Sequence, residues 1–186
     1  AEFVGMQPPD RVRAFLDQLT PPSPIDLAVE KASNLLTLGN WAEAEGIFRG
    51  ALTNKPNSSS SILGLCKSLL AQGKASEALE LLREFPASRE FSHAQALLPL
   101  AECMRNSMQK PVPEGDENDA AFRNALRLIS KGNLEAAMDG IIGILRRNKH
   151  YQNGKAHQIA LAIIELLGEG NPLTPQYRRE LASALF

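Results

Sequence analysis

The chain repeats itself with a period of 34 residues, and this repeat limits the folds that it can adopt. Segments 32–52 and 66–86 align without gaps, and segment 125–145 is a third copy. Shared positions in the three copies carry Gly39, Gly73 and Gly132, and Ala44, Ala78 and Ala137. Self-similarity at such a period indicates stacked copies of one small structural unit, each too small to bury an apolar face alone.

Each copy predicts a pair of antiparallel α-helices. In the first copy, apolar residues recur at three- and four-residue spacings on both sides of Gly39, a helical periodicity. Gly39 follows the last apolar residue of the first helix, where glycine can adopt a left-handed backbone conformation at little cost in free energy. Pro56 follows the second helix and is expected to end it.

The first copy resembles a tetratricopeptide repeat. The small, glycine, aromatic and proline positions of that family are occupied by Ala32, Gly39, Ala44, Phe48, Ala51 and Pro56. This resemblance implies an all-α fold: a tetratricopeptide-repeat helical array, or α-solenoid, of antiparallel helix pairs with a C-terminal capping helix. Repeats are expected near 25–58, 59–86 and 118–149, followed by a terminal helix pair at 153–186.

Two prolines predict departures from a regular array. Pro86 comes early in the second repeat, so the second helix of that repeat is expected to be short. Segment 87–107 predicts another helix, and Pro99 within it predicts a kink or a division.

Composition and charge argue against several function classes. Lys and Arg total 20 and Asp and Glu total 21, so the net charge of −1 gives no basic field for nucleic acid. The apolar runs are shorter than the roughly 20 residues of a membrane span, and we expect no secretory signal because the opening residues lack a basic region followed by an apolar one. We therefore expect no nucleic-acid partner, no membrane partner and a cytoplasmic location.

The sequence predicts no enzyme active site, no metal site and no cofactor. Cys66 and Cys103 are far apart in apolar, helical surroundings, which indicates two reduced and packed thiols. His150 and His157 are separated by Gly154 and lack further ligands of a compact metal site. His93 stands alone in a predicted helix, without a nucleophile beside it.

The two ends of the chain resemble one family of fused proteins. Segment 148–186 resembles the C-terminal part of the bacterial thioredoxin-like tetratricopeptide co-chaperones, the YbbN/CnoX family, on the following residues: Leu167-Gly168, Tyr177-Arg178-Arg179, Leu181 and Leu185-Phe186. The opening EFVGMQPPDRVRAFLDQL is similar to the end of that family's thioredoxin-like domain. The resemblance implies that residues 1–22 are the last helix and linker of an absent thioredoxin-like domain and that residues 23–186 are the array.

The resemblance implies a non-catalytic module that binds unfolded clients, a chaperonin or other chaperones. One alternative is an accessory domain that positions substrates for a redox-active thioredoxin domain in the full-length protein. A second alternative is a generic assembly scaffold. The apolar stripe of the N-terminal helix, with Phe15 and Leu16, also suggests self-association.

The repeat register predicts a partner-binding concave face. In tetratricopeptide arrays the first helices of the pairs line this face, which here carries Val29, Ser33, Leu36, Leu63, Lys67, Phe122 and Arg123. Lys67 matches a cation of the subfamily that clamps carboxylate tails, whereas Val29, Ser33 and Leu63 depart from it. The alternative is that the apolar members pack on neighbouring helices.

The last helix predicts a second partner-binding surface. Tyr177, Leu181 and Leu185 share one stripe and are expected to pack inward. The remaining surface carries the predicted contacts Arg178, Arg179, Ala182 and Phe186. This helix either docks in a groove of a partner or only caps the array.

Overall fold

A computed structural model describes residues 23–109 and 116–185. All regular secondary structure in these two stretches is α-helical, so the predicted fold class is confirmed. The helices are α1 Pro24–Thr37, α2 Trp41–Asn54, α3 Ser59–Ala71, α4 Ala75–Arg83, α5 Phe91–Gln109, α6 Glu117–Ile129, α7 Leu134–Arg147, α8 Lys155–Leu167 and α9 Thr174–Leu185. The N-terminal helix and linker predicted at 1–22 and the predicted contact Phe186 lie outside the described residues.

Glycine ends the first helix of each of the three repeats. Gly39, Gly73 and Gly132 have φ angles of 75°, 77° and 73°, a left-handed conformation that strains other residues. The amide of each glycine donates to a carbonyl three residues earlier, at 3.0, 3.0 and 2.8 Å. The helix ends that the repeated glycines predict are therefore confirmed.

Shape complementarity holds the first half of the array, α1 to α4, together. The ring of Phe48 on α2 lies against Gly64 on α3 and is 1% exposed. A Cβ atom at position 64 would lie 2.2 Å from Cζ of that ring, so only glycine leaves room for it. Ala32, Ala44 and Ala78 are fully buried, as expected where helices cross closely.

A polar cluster around Glu45 also braces the first half. This buried carboxylate on α2 accepts hydrogen bonds from Arg49 at 2.9 Å, Gln72 at 2.7 Å and Lys74 at 2.6 Å. Desolvation by burial disfavours the charged form, but these hydrogen bonds outweigh it and hold the pKa of Glu45 below its usual value. Because Gln72 and Lys74 belong to the second repeat, the cluster links the first two helix pairs.

Helices α4 and α5 show the effects of the two prolines. Helix α4 has 9 residues and α2 has 14, which confirms the shortening predicted from Pro86. Helix α5 continues through Pro99 for 19 residues, so the predicted division of this helix is wrong, while the alternative of a kink stays a prediction. Proline removes one backbone hydrogen bond, whereas the full burial of Leu97 and Leu100 on the two sides of Pro99 stabilises the continuous helix.

The second half of the array, α6 to α9, is built around α7. This helix packs against α6, α8 and α9, and Ile141, Ile142 and Ile144 on it are almost fully buried. Helix α9 covers α7 and α8 through Tyr177, Leu181 and Ala184. The last helix therefore buries an apolar stripe of its own and caps this half.

The two halves face each other along a contact that we call the seam. Helix α5 packs against α4 on one side and α8 on another, which turns the array back on itself. Trp41 at the start of α2 lies so close to Gly132 that a Cβ atom there would be 2.4 Å from Nε1. Gly73 lies against Ser130, since a Cβ atom built at position 73 would be 3.1 Å from Cβ of this serine.

Candidate functional site

A surface groove lies between α5, α8 and α9, and we call it the C-terminal groove. It encloses about 500 Å³ and is lined by Ala96, Leu161, Ile164, Glu165, Arg178, Leu181, Ala182 and Leu185. Most of this lining is apolar, and the Leu161 side chain is 44% exposed. A large exposed leucine in a concave apolar surface is typical of a place where another protein chain docks.

The C-terminal groove contains two of the contacts that the sequence predicts on the last helix. Arg178 and Ala182 line it, whereas Arg179 is exposed but does not contribute to the lining. The Arg178 guanidinium is oriented by Glu169, whose Oε2 accepts from Nη1 at 2.9 Å. This hydrogen bond raises the pKa of Arg178 and lowers that of Glu169, so both groups are charged at neutral pH.

The predicted concave-face residues of the first half face another part of the chain. Ser33, Leu36, Leu63 and Lys67 line a cleft of about 270 Å³ together with residues 166–170 at the end of α8. Val29 is partly buried against the core, and its carbonyl accepts a hydrogen bond from Ser33 Oγ at 2.9 Å. The predicted open groove is thus partly filled by α8 because the halves face each other.

An ion-pair network lies in the seam. Lys67 Nζ on α3 is 2.7 Å from Glu165 Oε1 on α8, and the two side chains are 14% and 18% exposed. The other oxygen, Oε2, is 2.8 Å from Nδ1 of His93 on α5. Lys67, predicted to bind a partner, is therefore paired within the chain, and His93 is not an isolated side chain.

The two predicted residues on α6 lie in the second half, apart from the first-half group. Phe122 is 6% exposed and packs against the ring of Tyr151 with 5.4 Å between ring centroids. The Tyr151 hydroxyl donates to Asp119. Burial and this carboxylate raise the pKa of Tyr151, while the same hydrogen bond lowers the pKa of Asp119. Phe122 is therefore mainly a packing residue.

Arg123 occupies a different environment because it lines two adjoining clefts. One cleft, of about 260 Å³, also contains Phe122, Tyr151 and Lys155. The other, which we call the arginine cleft, encloses about 450 Å³ and is lined by Gln72, Gly73, Met104, Ser107, Arg123, Leu126, Arg127 and Ser130. The predicted set is thus divided between two separate places in the fold.

The burial of the two thiols and the arrangement of the acidic residues bear on their reactivity and on metal binding. Burial raises the pKa of Cys66 to about 12 and also raises that of Cys103, so both stay protonated and weakly nucleophilic at neutral pH. Within residues 23–109 and 116–185, no group of three His, Cys, Asp or Glu residues is arranged to hold a metal ion.

Two residues of these surfaces were missed by reasoning from the sequence. Leu161 belongs to an apolar run in α8 that gives no sign of which leucine stays exposed. Glu165 could have been found from the sequence, because it is the one acidic residue in that helix. A lone charge in an apolar run indicates that the charged group has a partner of opposite charge or a hydrogen-bond donor nearby. Among the helices described, none has the length and apolarity needed to cross a membrane.

Comparison with known proteins agrees with the helical repeats. Two family models, each described as tetratricopeptide repeat, match residues 35–103 and 94–186. A protein of Haemophilus influenzae described as uncharacterized is 27% identical over 175 residues, covering 89% of this chain and 80% of its own length. The second match spans half of the chain, and together the two extend from α1 to the C-terminus. The chain therefore belongs to the tetratricopeptide repeat family, whose members bind other proteins.

Proposed function

We propose that this chain is the protein-binding module of a thioredoxin-like tetratricopeptide co-chaperone. In this proposal it binds unfolded clients and chaperones, among them a chaperonin, and carries out no catalysis. The observation that carries the proposal is the C-terminal groove, an apolar concavity on three helices with the exposed Leu161 in it. Unfolded chains present apolar side chains, which such a groove can bury.

The charges at the C-terminal groove suit a protein partner better than a small apolar ligand. Glu165 and Arg178 both contribute to its lining, and Arg178 is held by Glu169. An apolar centre with a polar rim is the usual composition of a protein interface. The raised pKa values of the two thiols argue against thiolate chemistry at Cys66 and Cys103, in keeping with the proposed absence of catalysis.

The first experiment compares two exposed leucines. Leu161 lies in the C-terminal groove and is 44% exposed, whereas Leu27 lies on α1, outside the groove, and is 50% exposed. We expect L161E to weaken the suppression of aggregation of chemically denatured citrate synthase, and chaperonin capture, about tenfold, since a charge in an apolar contact costs more than 1.4 kcal/mol. L27E should retain both activities.

Light scattering of citrate synthase and a pull-down with purified chaperonin measure these effects. Circular dichroism melting of both variants ensures that the folded chains are compared. Equal activity of L161E and the unsubstituted chain would exclude the groove as the binding surface. If the unsubstituted chain captures neither the client nor the chaperonin, the generic scaffold becomes the better description.

A further inference from the structure

The arginine cleft lies apart from the C-terminal groove and has an unusual charge distribution. It is formed by the turn between α3 and α4, the C-terminal part of α5, and α6. Two of its lining residues are Arg123 and Arg127, and its described lining contains no aspartate or glutamate. The cleft therefore presents two cations with no carboxylate in its described lining, while Asp119 lines the adjoining cleft beside Arg123.

The partners of these two arginines differ from those of most others in the described chain. Six arginines form ion pairs with carboxylates, namely Arg49, Arg83, Arg89, Arg146, Arg147 and Arg178. Arg127 Nη2 instead donates to the neutral Asn124 Oδ1 at 2.8 Å. Arg123 lies near enough to Asp119 to lower its pKa, but the described residues contain no ion pair between them.

The guanidinium of Arg123 has an unsatisfied donor. Its Nη1 is buried and has no hydrogen-bond partner among the described residues. A buried donor without an acceptor loses the hydrogen bonds that water would supply, so an acceptor from a ligand is favoured there. A carboxylate matches best, because its two oxygens can accept from a guanidinium in parallel.

The rest of the cleft indicates a ligand larger than a simple anion. Met104 and Leu126 are 3% and 5% exposed and form an apolar part of the lining next to the arginines. A volume of about 450 Å³ lies in the usual range of ligand sites. An apolar surface beside two cations is complementary to an apolar group that carries a carboxylate close by.

We propose that the arginine cleft binds a short peptide segment of a partner protein in which an acidic side chain neighbours a bulky apolar one. The carboxylate accepts hydrogen bonds from Arg123 and Arg127, and the apolar side chain lies on Met104 and Leu126. This inference deepens the proposed function, on which it rests, by giving a second contact and the chemistry of the segment that makes it.

Fluorescence anisotropy with two matched probes tests this proposal. The first is a fluorescein-labelled peptide, Gly-Ser-Asp-Leu-Phe-Asp-Leu-Ser-Gly, with an amidated C-terminus, and the second has asparagine in place of both aspartates. We expect the aspartate peptide to bind at least tenfold more tightly, because only carboxylates pair with both guanidinium groups. Equal affinities of the two peptides would overturn the assignment.

Substitutions of single arginines test where the aspartate peptide binds. R123M keeps an apolar stem of similar length and removes the unsatisfied donor, so its melting temperature should stay equal or rise. The same variant should bind the aspartate peptide at least tenfold more weakly, whereas R146M, which removes an arginine of α7 paired with Glu180, should bind as before. Unchanged binding by R123M, or an equal loss in R146M, would place the peptide elsewhere.

Client binding measured in parallel separates the two proposals. Suppression of citrate synthase aggregation by the unsubstituted chain, with no binding of the aspartate peptide, would overturn the arginine cleft alone. Peptide binding that depends on Arg123, in a chain that neither suppresses aggregation nor captures chaperonin, would overturn the proposed co-chaperone function and leave the cleft as a peptide site.

Discussion

The first half of the array and the seam combine close packing and charge in different ways. Inside the half, Phe48 fits against Gly64 with no room for a further atom. Across the seam, a central contact is the ion pair between Lys67 and Glu165, with His93 beside it. Both regions also contain the other kind of contact, since the Glu45 cluster links the first two helix pairs and Trp41 packs on Gly132 across the seam. The regions differ in the charges: the cations around Glu45 are about half exposed, whereas both side chains of the seam pair are largely buried.

The largest expected effect comes from filling the space beside Phe48. G64A would place Cβ 2.2 Å from the ring, and we expect a loss of about 3 kcal/mol in the free energy of unfolding from overpacking. G50A is the matched control, because a Cβ atom at this helical position meets nothing within 4 Å. Its better helix propensity should add about 0.5 to 1 kcal/mol.

Urea denaturation of both variants measures the difference. Similar stabilities of G64A and G50A would contradict the claim that shape complementarity between α2 and α3 is essential to the first half.

A smaller effect is expected from crowding the seam. Gly39 and Gly132 occupy the same repeat position with φ angles of 75° and 73°, so alanine is strained equally at both. Only at 132 would the new Cβ collide with Trp41, 2.4 Å from Nε1, whereas at 39 the same atom is 3.9 Å away. We expect G132A to be less stable than G39A by about 1 to 2 kcal/mol.

Thermal unfolding followed by circular dichroism gives this difference, and Trp41 fluorescence in the folded state reports the displacement of the ring. If the two variants have equal stability and unchanged fluorescence, the halves do not meet at Trp41 in solution.

The smallest expected effect concerns the charges of the seam. E165Q leaves Lys67, whose side chain is 14% exposed, without a counter-ion, but the glutamine can still accept its hydrogen bond. We therefore expect a loss of about 1 kcal/mol that salt reduces only slightly. E180Q removes an ion pair with Arg146, whose side chain is 61% exposed, and should change stability by less than about 0.5 kcal/mol.

Urea denaturation at low and high salt measures both variants. Equal losses of stability in E165Q and E180Q would show that the charges across the seam contribute no more than an ordinary surface pair.

The local structure could be predicted from the sequence, and the relation between the halves could not. Gly39, Gly73 and Gly132 end helices as predicted because turn conformation is decided by nearby residues. The pairing of Lys67 with Glu165 joins residues far apart in the chain and depends on the course of α5, for which the repeat pattern gives no information.

For the candidate surfaces, too, local features could be predicted from the sequence and contacts between distant parts of the chain could not. Periodicity correctly placed Tyr177 and Leu181 on the buried side of the last helix, which left Arg178 and Ala182 for the groove. It assigned Phe122 and Arg123 to one face with Lys67, because a regular superhelix extends such a face through all repeats. The long α5 interrupts that regularity, and the arginines meet α5 in a separate cleft.

The position of α8 against α1 and α3 has a consequence for the newly synthesised chain. A ribosome completes the first half well before it reaches residues 166–170, which line the cleft beside Leu36 and Leu63. Until then, the leucines of that face stay uncovered, and the emerging polypeptide resembles the unfolded chains that chaperones bind. The surface of the first half is thus completed only when the last third of the protein has been synthesised.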